Sequence, residues 1–351
     1  MRDLIISDTQ FGNHKQFADY STGLNSRLLH QLIAFDRCLE EAAEQGCKRV
    51  IHLGDVFEKN NILEPEIVNS LLKTLKKYEH EFSEFIFLTG NHDKTGDMEE
   101  FNKLLILDGQ LGKKVRIISK PYLSARDVTE IFIPYMKDEE RVEQVIEKTL
   151  NPSKNVGYTK KHTVLYLHQT IIESEHGRMF IKGVNPEYLK QFKQVYCGHI
   201  HQSQKVRENV LIVGAPYPIT FGDSNDRFVV IVENGKPIKR FKPAHPKFIK
   251  TDNVDDVPKN DKYNFYMLTT DKPVPEMSAN VRVAKRVEVH SVVRIKAKSD
   301  KELLKAYCKK MNVSGFTLSL GTYLLHRAET LQTKEPQILD KTLREIGKLC
   351  Q

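Results

Sequence analysis

The chain has 351 residues, 40% of them apolar and 28% charged, with 18 Gly, 14 Pro and no Trp. At about 150 residues per domain that is room for about two domains with real cores, which excludes a disulfide-stapled miniprotein, a fibrous repeat and a disordered tail. The net charge of +8 is uneven: residues 1–234 carry 30 Lys and Arg against 33 Asp and Glu, residues 235–351 carry 24 against 13.

The first part therefore reads as an acidic body that recruits cations, and the second as a basic part suited to a polyanion. No apolar run reaches the ~18 residues of a membrane span. The short apolar run after Met1 is interrupted at Asp8, too early for a secretory leader, so a cytoplasmic protein is expected. The five cysteines (Cys38, Cys47, Cys197, Cys308, Cys350) include no C-x-x-C pair, which fits reduced thiols and argues against a cysteine zinc site.

In chain order, Leu4-Ile5-Ile6 predicts a strand ending at Ser7-Asp8. Leu28, Leu32, Phe35, Leu39 and Ala43 recur at helical spacing until Gly46 stops the helix, and Arg49 to Leu53 is a second strand ending at Gly54-Asp55. Pro65 opens a helix carrying Ile67, Leu71, Leu75 and Tyr78. Phe85 to Thr89 is a third strand, running into Gly90-Asn91-His92-Asp93. Thr163 to Leu167 leads into His168, and Gln194 to Cys197 into Gly198-His199-Ile200-His201. Leu211 to Val213 and Phe228 to Val232 are further strands, with a hairpin at Asn234-Gly235. Ala244 to Asp261 is Pro-, Asp- and Lys-rich and reads as a linker. Asn264 to Leu268 and Val287 to Ile295 then read as strands and Asp300 to Met311 as a helix, a small α+β domain. Two helical pieces separated near Pro336 close the chain, the second with an apolar stripe of Leu339, Leu343, Ile346 and Cys350.

Five of these strands end in a turn that carries metal-compatible side chains. Strand ends are where active sites assemble in layered α/β sheets, so the five are expected to converge. Asp8 and Gln10, like His199 and His201, are two apart and in extended backbone project to one side, so each pair can grip one centre. Gly54 and Gly198 immediately precede a candidate ligand, where the missing Cβ permits close approach. His14, His52, His162 and His176 lack a strand-end position and are read as structural or solvent-exposed. Arg178 and Lys182 are read either as phosphate-backbone contacts or as a solvated face.

Asp8-Thr9-Gln10, Gly54-Asp55, Gly90-Asn91-His92-Asp93, His168 and Gly198-His199-Ile200-His201 together resemble the signature of the calcineurin-like metallophosphoesterases, over residues 1 to about 235. Gly12, Val56-Phe57, Gly214-Ala215-Pro216 and Phe221-Gly222-Asp223 further resemble the SbcD-type DNA-repair nuclease subunit. The resemblance implies a layered α/β/α metallophosphoesterase core (residues 1–250), a small α+β capping domain that contacts DNA (251–312) and a C-terminal helical segment (313–351) that docks on a coiled-coil ATPase. It implies one metal held by Asp8, Gln10, Asp55 and His201 and a second by Asp55, Asn91, His168 and His199. Two dications and two carboxylates leave a surplus near +2, enough to bind phosphate and stabilise hydroxide. Mixed oxygen and nitrogen donors suit Mn²⁺, with Zn²⁺, Fe²⁺ and Mg²⁺ as alternatives.

His92 resembles the family's non-ligand histidine that contacts the scissile phosphate and helps the departing oxygen; the alternative is a supporting role, hydrogen-bonded to Asp93. Gln10 stands where this nuclease family usually has His, which replaces a nitrogen donor by a neutral oxygen donor and favours harder ions. The activity implied is a metal-dependent DNA exonuclease and endonuclease in repair and recombination. The partners implied are DNA and an SMC-like coiled-coil ATPase of the SbcC type, in a homodimer within a heterotetramer. The compact chain fits a phage-encoded version acting in the host cytoplasm. The alternatives are a small-molecule or protein phosphoesterase, which would not need the basic C-terminal part, and a degenerate non-catalytic scaffold, which would not need the ligand set.

Overall fold

The computed structural model describes residues 1–284 except 60–62, 96–100, 127, 151–161, 176–181, 272–273 and 275. The elements, in chain order, are β1 (Arg2–Ile6), α1 (Ser26–Glu44), β2 (Arg49–His52), α2 (Pro65–Lys77), β3 (Glu84–Leu88), β4 (Gln110–Lys113), β5 (Val115–Ile118), β6 (Tyr122–Ala125), β7 (Thr129–Ile133), α3 (Glu139–Leu150), β8 (Thr163–His168), β9 (Gln194–Gly198), β10 (Gln204–Arg207), β11 (Val210–Ile212), β12 (Val229–Glu233), β13 (Lys236–Phe241), β14 (Phe248–Thr251), β15 (Phe265–Thr269) and β16 (Val281–Ala284).

Local chemistry sets the helix bounds. The Asn25 side chain accepts from Arg27 N and Leu28 N at the start of α1, and Gly46, at φ +69°, ends it as expected. Pro65 occupies the first turn of α2, where a missing N–H costs nothing, and Lys76 and Lys77 lie in the last turn, where cations meet the negative end of the helix dipole.

Two six-stranded sheets form, in the orders β13-β12-β1-β2-β3-β5 and β10-β11-β9-β8-β7-β6. In each, the strands that carry the candidate residues are parallel: β1, β2 and β3 in the first, β8 and β9 in the second. Their near-continuous apolar runs follow from burial on both faces. Between the sheets, Ile5, Ile51, Leu53, Ile86 and Leu88 meet Phe132, Val164, Tyr166, Tyr196 and Val213. Outside the first sheet, α1 and α2 pack Leu28, Phe35, Leu39, Leu71 and Leu75 on Leu4, Val50, Phe85 and Phe87. Outside the second, Val142 and Ile146 of α3 pack on Ile131, Leu165 and Val195. The expected layered α/β/α core is present, and its middle layer consists of two packed sheets.

The opposite end of the sandwich from the candidate residues is pinned by a buried ion cluster. Arg49 at the start of β2 grips Asp3 of β1 (2.8 and 2.8 Å) and Glu130 of β7 (2.8 and 2.5 Å), joining the two sheets. Burial pushes the Asp3 carboxyl up against the pull of Arg49. Removing one member of such a cluster leaves an uncompensated buried charge, at a cost of about 3–5 kcal/mol.

The stretch from Ala244 to Asp261 is more than a linker. It contains β14, which pairs in parallel with β15, itself parallel to β16. β14 orders because Phe248 has somewhere to go: its ring meets Phe221 and Phe265 at 4.9 and 5.0 Å between centroids. The described residues belong to one compact unit. The strand expected over Val287 to Ile295, the helix over Asp300 to Met311 and the stripe from Leu339 to Cys350 lie outside the described residues.

Candidate metal centre

The five strand ends converge. Asp8 follows β1, Asp55 follows β2, Asn91 follows β3, His168 ends β8 and His199 follows β9. Hydrogen bonds stitch the turns together: Asp8 N donates to Gly54 O and Gln10 N to Asp55 O, both at 3.0 Å, and the carboxylate of Asp8 accepts from His199 N at 3.1 and 3.2 Å. Asp8, Gln10, Asp55 and His199 all have positive φ, between 42° and 83°. Left-handed backbone is unfavourable for residues with a Cβ and persists where the surroundings dictate it, typically at functional sites.

One group of side chains closes on a single point. Among the described residues, a ligand atom from each of Asp55, His168 and His199 lies within 4.8 Å of the others. Asn91 joins them: its side-chain oxygen is 3.1 Å from His168 Nε2 and 2.8 Å from His199 Nδ1. His168 Nδ1 faces the Leu53 carbonyl at 2.7 Å, which orients the ring and turns Nε2 toward Asp55 Oδ1 at 3.4 Å. Ring nitrogens thus face an amide oxygen and a carboxylate, a set of acceptors that needs a proton or a cation among them. Burial opposes charging His168, but the adjacent Asp55 outweighs it and lifts the pKa to about 9. The Asp55 carboxylate that favours that proton is also a donor able to ligate a cation in its place. Burial, then the neighbouring His168, drops His199 to about 3, so its imidazole is neutral and able to ligate.

The remaining candidates lie alongside. Gln10 Nε2 is 3.0 Å from His201 Nε2, so these two residues face each other at one flank of the site. Asp8 is fully buried, and burial raises its carboxyl pKa. Gly90 and Gly198 have no room for a side chain: an added Cβ would fall 2.1 Å from Asp55 Oδ1 at Gly90 and 2.2 Å from Ser7 Oγ at Gly198.

His92 is partly buried at the rim. Its backbone N–H donates to Asp55 Oδ1 at 2.8 Å, and its Nδ1 is 3.8 Å from Glu58 Oε1. The hydrogen bond from His92 to Asp93 considered from sequence does not form. Asp93 is committed elsewhere, accepting from Asp55 N (2.8 Å), Gly90 N (2.9 Å) and Phe57 N (3.1 Å). It is fully buried, and that burial, followed by the charge of Asp55, raises its pKa to about 6.

His52 is structural, as expected: it is fully buried between Thr9 Oγ1 (3.0 Å) and Gly54 N (3.2 Å). His14 lies 3.8 Å from Glu58, His162 and Lys182 are exposed, and His176 and Arg178 lie outside the described residues. Sequence reasoning missed Tyr135, whose ring centroid is 5.7 Å from that of His199 and 6.2 Å from that of His168, with Lys94 Nζ over its face at 5.7 Å. The available signal was Phe132-Ile133-Pro134-Tyr135, another apolar strand running into a turn.

A two-sheet α/β sandwich gathers Asp, Asn and His donors at its parallel strand ends, an arrangement able to hold a metal ion. Residues 1–203 match the family model described as calcineurin-like phosphoesterase, and the chain belongs to that family. It is 24% identical over 204 residues to exonuclease subunit 1 of Enterobacteria phage T4, an alignment covering 56% of each chain, so this chain spans just over half the length of that curated relative. Among solved structures it is similar to the calcineurin-like phosphoesterase YfkN from Bacillus subtilis (12% identity, 68% of this chain and 87% of that one, TM-score 0.39). It is also similar to an archaeal phosphodiesterase (14% identity, 69% and 99%, TM-score 0.36).

Proposed function

We propose that the protein is the nuclease subunit of a DNA repair and recombination complex, hydrolysing DNA phosphodiester bonds with two divalent cations, Mn²⁺ foremost. The observation that carries this reading is the meeting of Asp55, Asn91, His168 and His199 beside Asp8, Gln10 and His201 at one end of the sandwich. Asp55, Asn91, His168 and His199 would hold one cation, and Asp8, Gln10, Asp55 and His201 the other. When bound, such a pair supplies Lewis acidity at phosphorus and a water nucleophile at neutral pH.

The protein's own groups do the rest. Leu53 O orients His168 by accepting from its ring, and Asp93 holds the Asp55 turn through the Asp55, Phe57 and Gly90 amides. His92, its main chain tied to Asp55, carries a proton to the departing oxygen from the ring edge that Glu58 does not face. The excess of basic residues beyond 234 supports a polyanionic substrate. In this reading residues 251–312 contact DNA, 313–351 dock on an SMC-like coiled-coil ATPase of the SbcC type, and the assembly is a homodimer within a heterotetramer, in the host cytoplasm if phage-encoded. Among the described residues no helix is long and apolar enough to cross a membrane.

The test is to incubate the purified chain with Mn²⁺ and, separately, linear duplex DNA, single-stranded circles and bis-p-nitrophenyl phosphate. Cleavage of DNA is expected. Turnover of the small diester alone would point to a small-molecule phosphoesterase, and no turnover of any substrate to a scaffold. Deleting 336–351 is expected to leave Mn²⁺-dependent cleavage of short substrates intact and abolish co-purification with the ATPase.

A further inference from the structure

Asp223 lies outside the strand-end motifs, yet it faces a candidate ligand. Its Oδ2 accepts from Ile219 N (2.9 Å) and Thr220 N (2.8 Å), which closes a turn. Its Oδ1 lies 3.8 Å from His201 Nδ1 and 3.3 Å from Arg227 Nη2. Arg227 in turn donates Nη1 to the His201 carbonyl and Nε to Ser224 O at 2.6 Å. The two side chains are among the least exposed charged groups in the structure, 2% for Asp223 and 1% for Arg227.

A buried ion pair is a poor device for stability, because desolvation offsets most of the Coulomb gain and a well-packed apolar pair would serve as well. What this pair supplies is direction. Arg227 secures the main chain of His201 while Asp223 faces one edge of its ring, and the other edge, Nε2, is turned to Gln10 at 3.0 Å. Metal-ligating histidines almost always present their second nitrogen to a carboxylate or a carbonyl, which selects the tautomer and aims the lone pair. His168 has the Leu53 carbonyl in that place; His201 has Asp223. The turn that carries Asp223 is itself anchored. Asn225 pairs with both Phe248 N and Phe248 O at 2.9 Å, and the Phe221 ring lies 5.1 Å from Phe17 and 4.9 Å from Phe248 between centroids.

We infer that Asp223 is the positioning residue of His201, holding its proton on Nδ1 and its Nε2 lone pair toward the Gln10 flank of the site. The inference rests on the two-metal reading above, and the experiment separates the two. The full-length chain, Asp223→Asn and His201→Ala are titrated with Mn²⁺ and followed by electron paramagnetic resonance. The ring nitrogens of the metal-free proteins, ¹⁵N-labelled at histidine, are observed by NMR, with His201 assigned from its loss in His201→Ala.

Asparagine keeps one oxygen for the Ile219 and Thr220 amides and removes the charge that faces His201. It is expected to weaken one Mn²⁺ site by about 10- to 100-fold, leave the other within a factor of two, and abolish the single Nδ1–H tautomer signal of His201. Wild-type affinities at both sites, or an unchanged tautomer signal, would overturn the assignment. If His201→Ala itself leaves Mn²⁺ binding unchanged, the ligand reading fails, and the tautomer signal still decides the role of Asp223. Should Asn unfold the chain by circular dichroism, Asp223→Ser, whose hydroxyl still accepts from the turn, is read by the same criteria.

Discussion

Replacing Gly90 by Ala tests the centre without touching a ligand. A Cβ at this position would lie 2.1 Å from Asp55 Oδ1, 2.3 Å from Asp55 N and 2.8 Å from Asp55 Cγ. The closest of these is 0.9 Å inside the 3.0 Å that real Cβ contacts respect, and two of the three are the carboxylate itself. Relief requires Asp55 to swing away or the two turns to separate, and separation breaks the bonds from Gly90 N and Asp55 N to Asp93 at 2.9 and 2.8 Å. Overpacking of this kind costs about 1–3 kcal/mol. The functional loss should be larger in proportion, since metal–ligand distances tolerate only about ±0.2 Å and Asp55 belongs to both proposed ligand sets. Gly90→Ala is therefore expected to remain folded, to lose that amount of stability in urea unfolding, and to lose measurable Mn²⁺ binding at both sites by calorimetry. A variant that folds and binds Mn²⁺ with unchanged affinity would show that Asp55 does not stand between the two sets.

His92→Ala is expected to keep Mn²⁺ binding and lose hydrolysis by about 10²- to 10⁴-fold; loss of bound Mn²⁺ in the same titration would make His92 a ligand or its support. Gln10→His should preserve the fold and raise affinity for Zn²⁺ relative to Mn²⁺, because an imidazole nitrogen suits the softer ion; unchanged relative affinities would mean that Gln10 points away from the metals. Asp261 organises the entry to β15, accepting from Tyr263 N (2.7 Å), Asn264 N (3.1 Å), Asn264 Nδ2 (2.8 Å) and Tyr266 Oη (2.6 Å). Burial acts to raise its pKa, but these donors prevail and hold it at about 2. A carboxyl depressed on folding stabilises above its unfolded pKa of about 4 and loses that contribution as pH falls through about 2. Asp261→Asn should accordingly flatten the pH dependence of the unfolding midpoint between pH 4 and 2, and an unchanged slope would refute the assignment.

The strands and helices that carry the centre were legible because each is specified locally. A buried parallel strand must be apolar throughout, and Asn25, Gly46 and Pro65 mark helix ends by their own backbone chemistry. The hairpin at Asn234-Gly235 follows from two residues that accept positive φ, observed at 50° and 74°. Candidate ligands were legible for a related reason: Asp, Asn and His at the ends of apolar runs have no packing role that would place them there. Short half-exposed strands such as β4 and β6 were silent because they carry little pattern, whereas β7, apolar and buried, carried the signal that runs into Tyr135.

Tertiary structure alone decided the rest. That two sheets stack depends on contacts between residues such as Ile51 and Tyr166, more than a hundred positions apart, and no local period encodes them. That His52 is structural while His168 faces the centre depends on what surrounds each ring: the sequence places His52 inside its strand, but in the structure β2 ends at His52 just as β8 ends at His168. Asp93, Tyr135 and Asp223 gain their places because the fold brings each against a different candidate ligand: Asp55, His199 and His201 respectively. Chain sequence specifies which side chains are available at each strand end; only the packing of the two sheets specifies which nitrogen and which oxygen face one another.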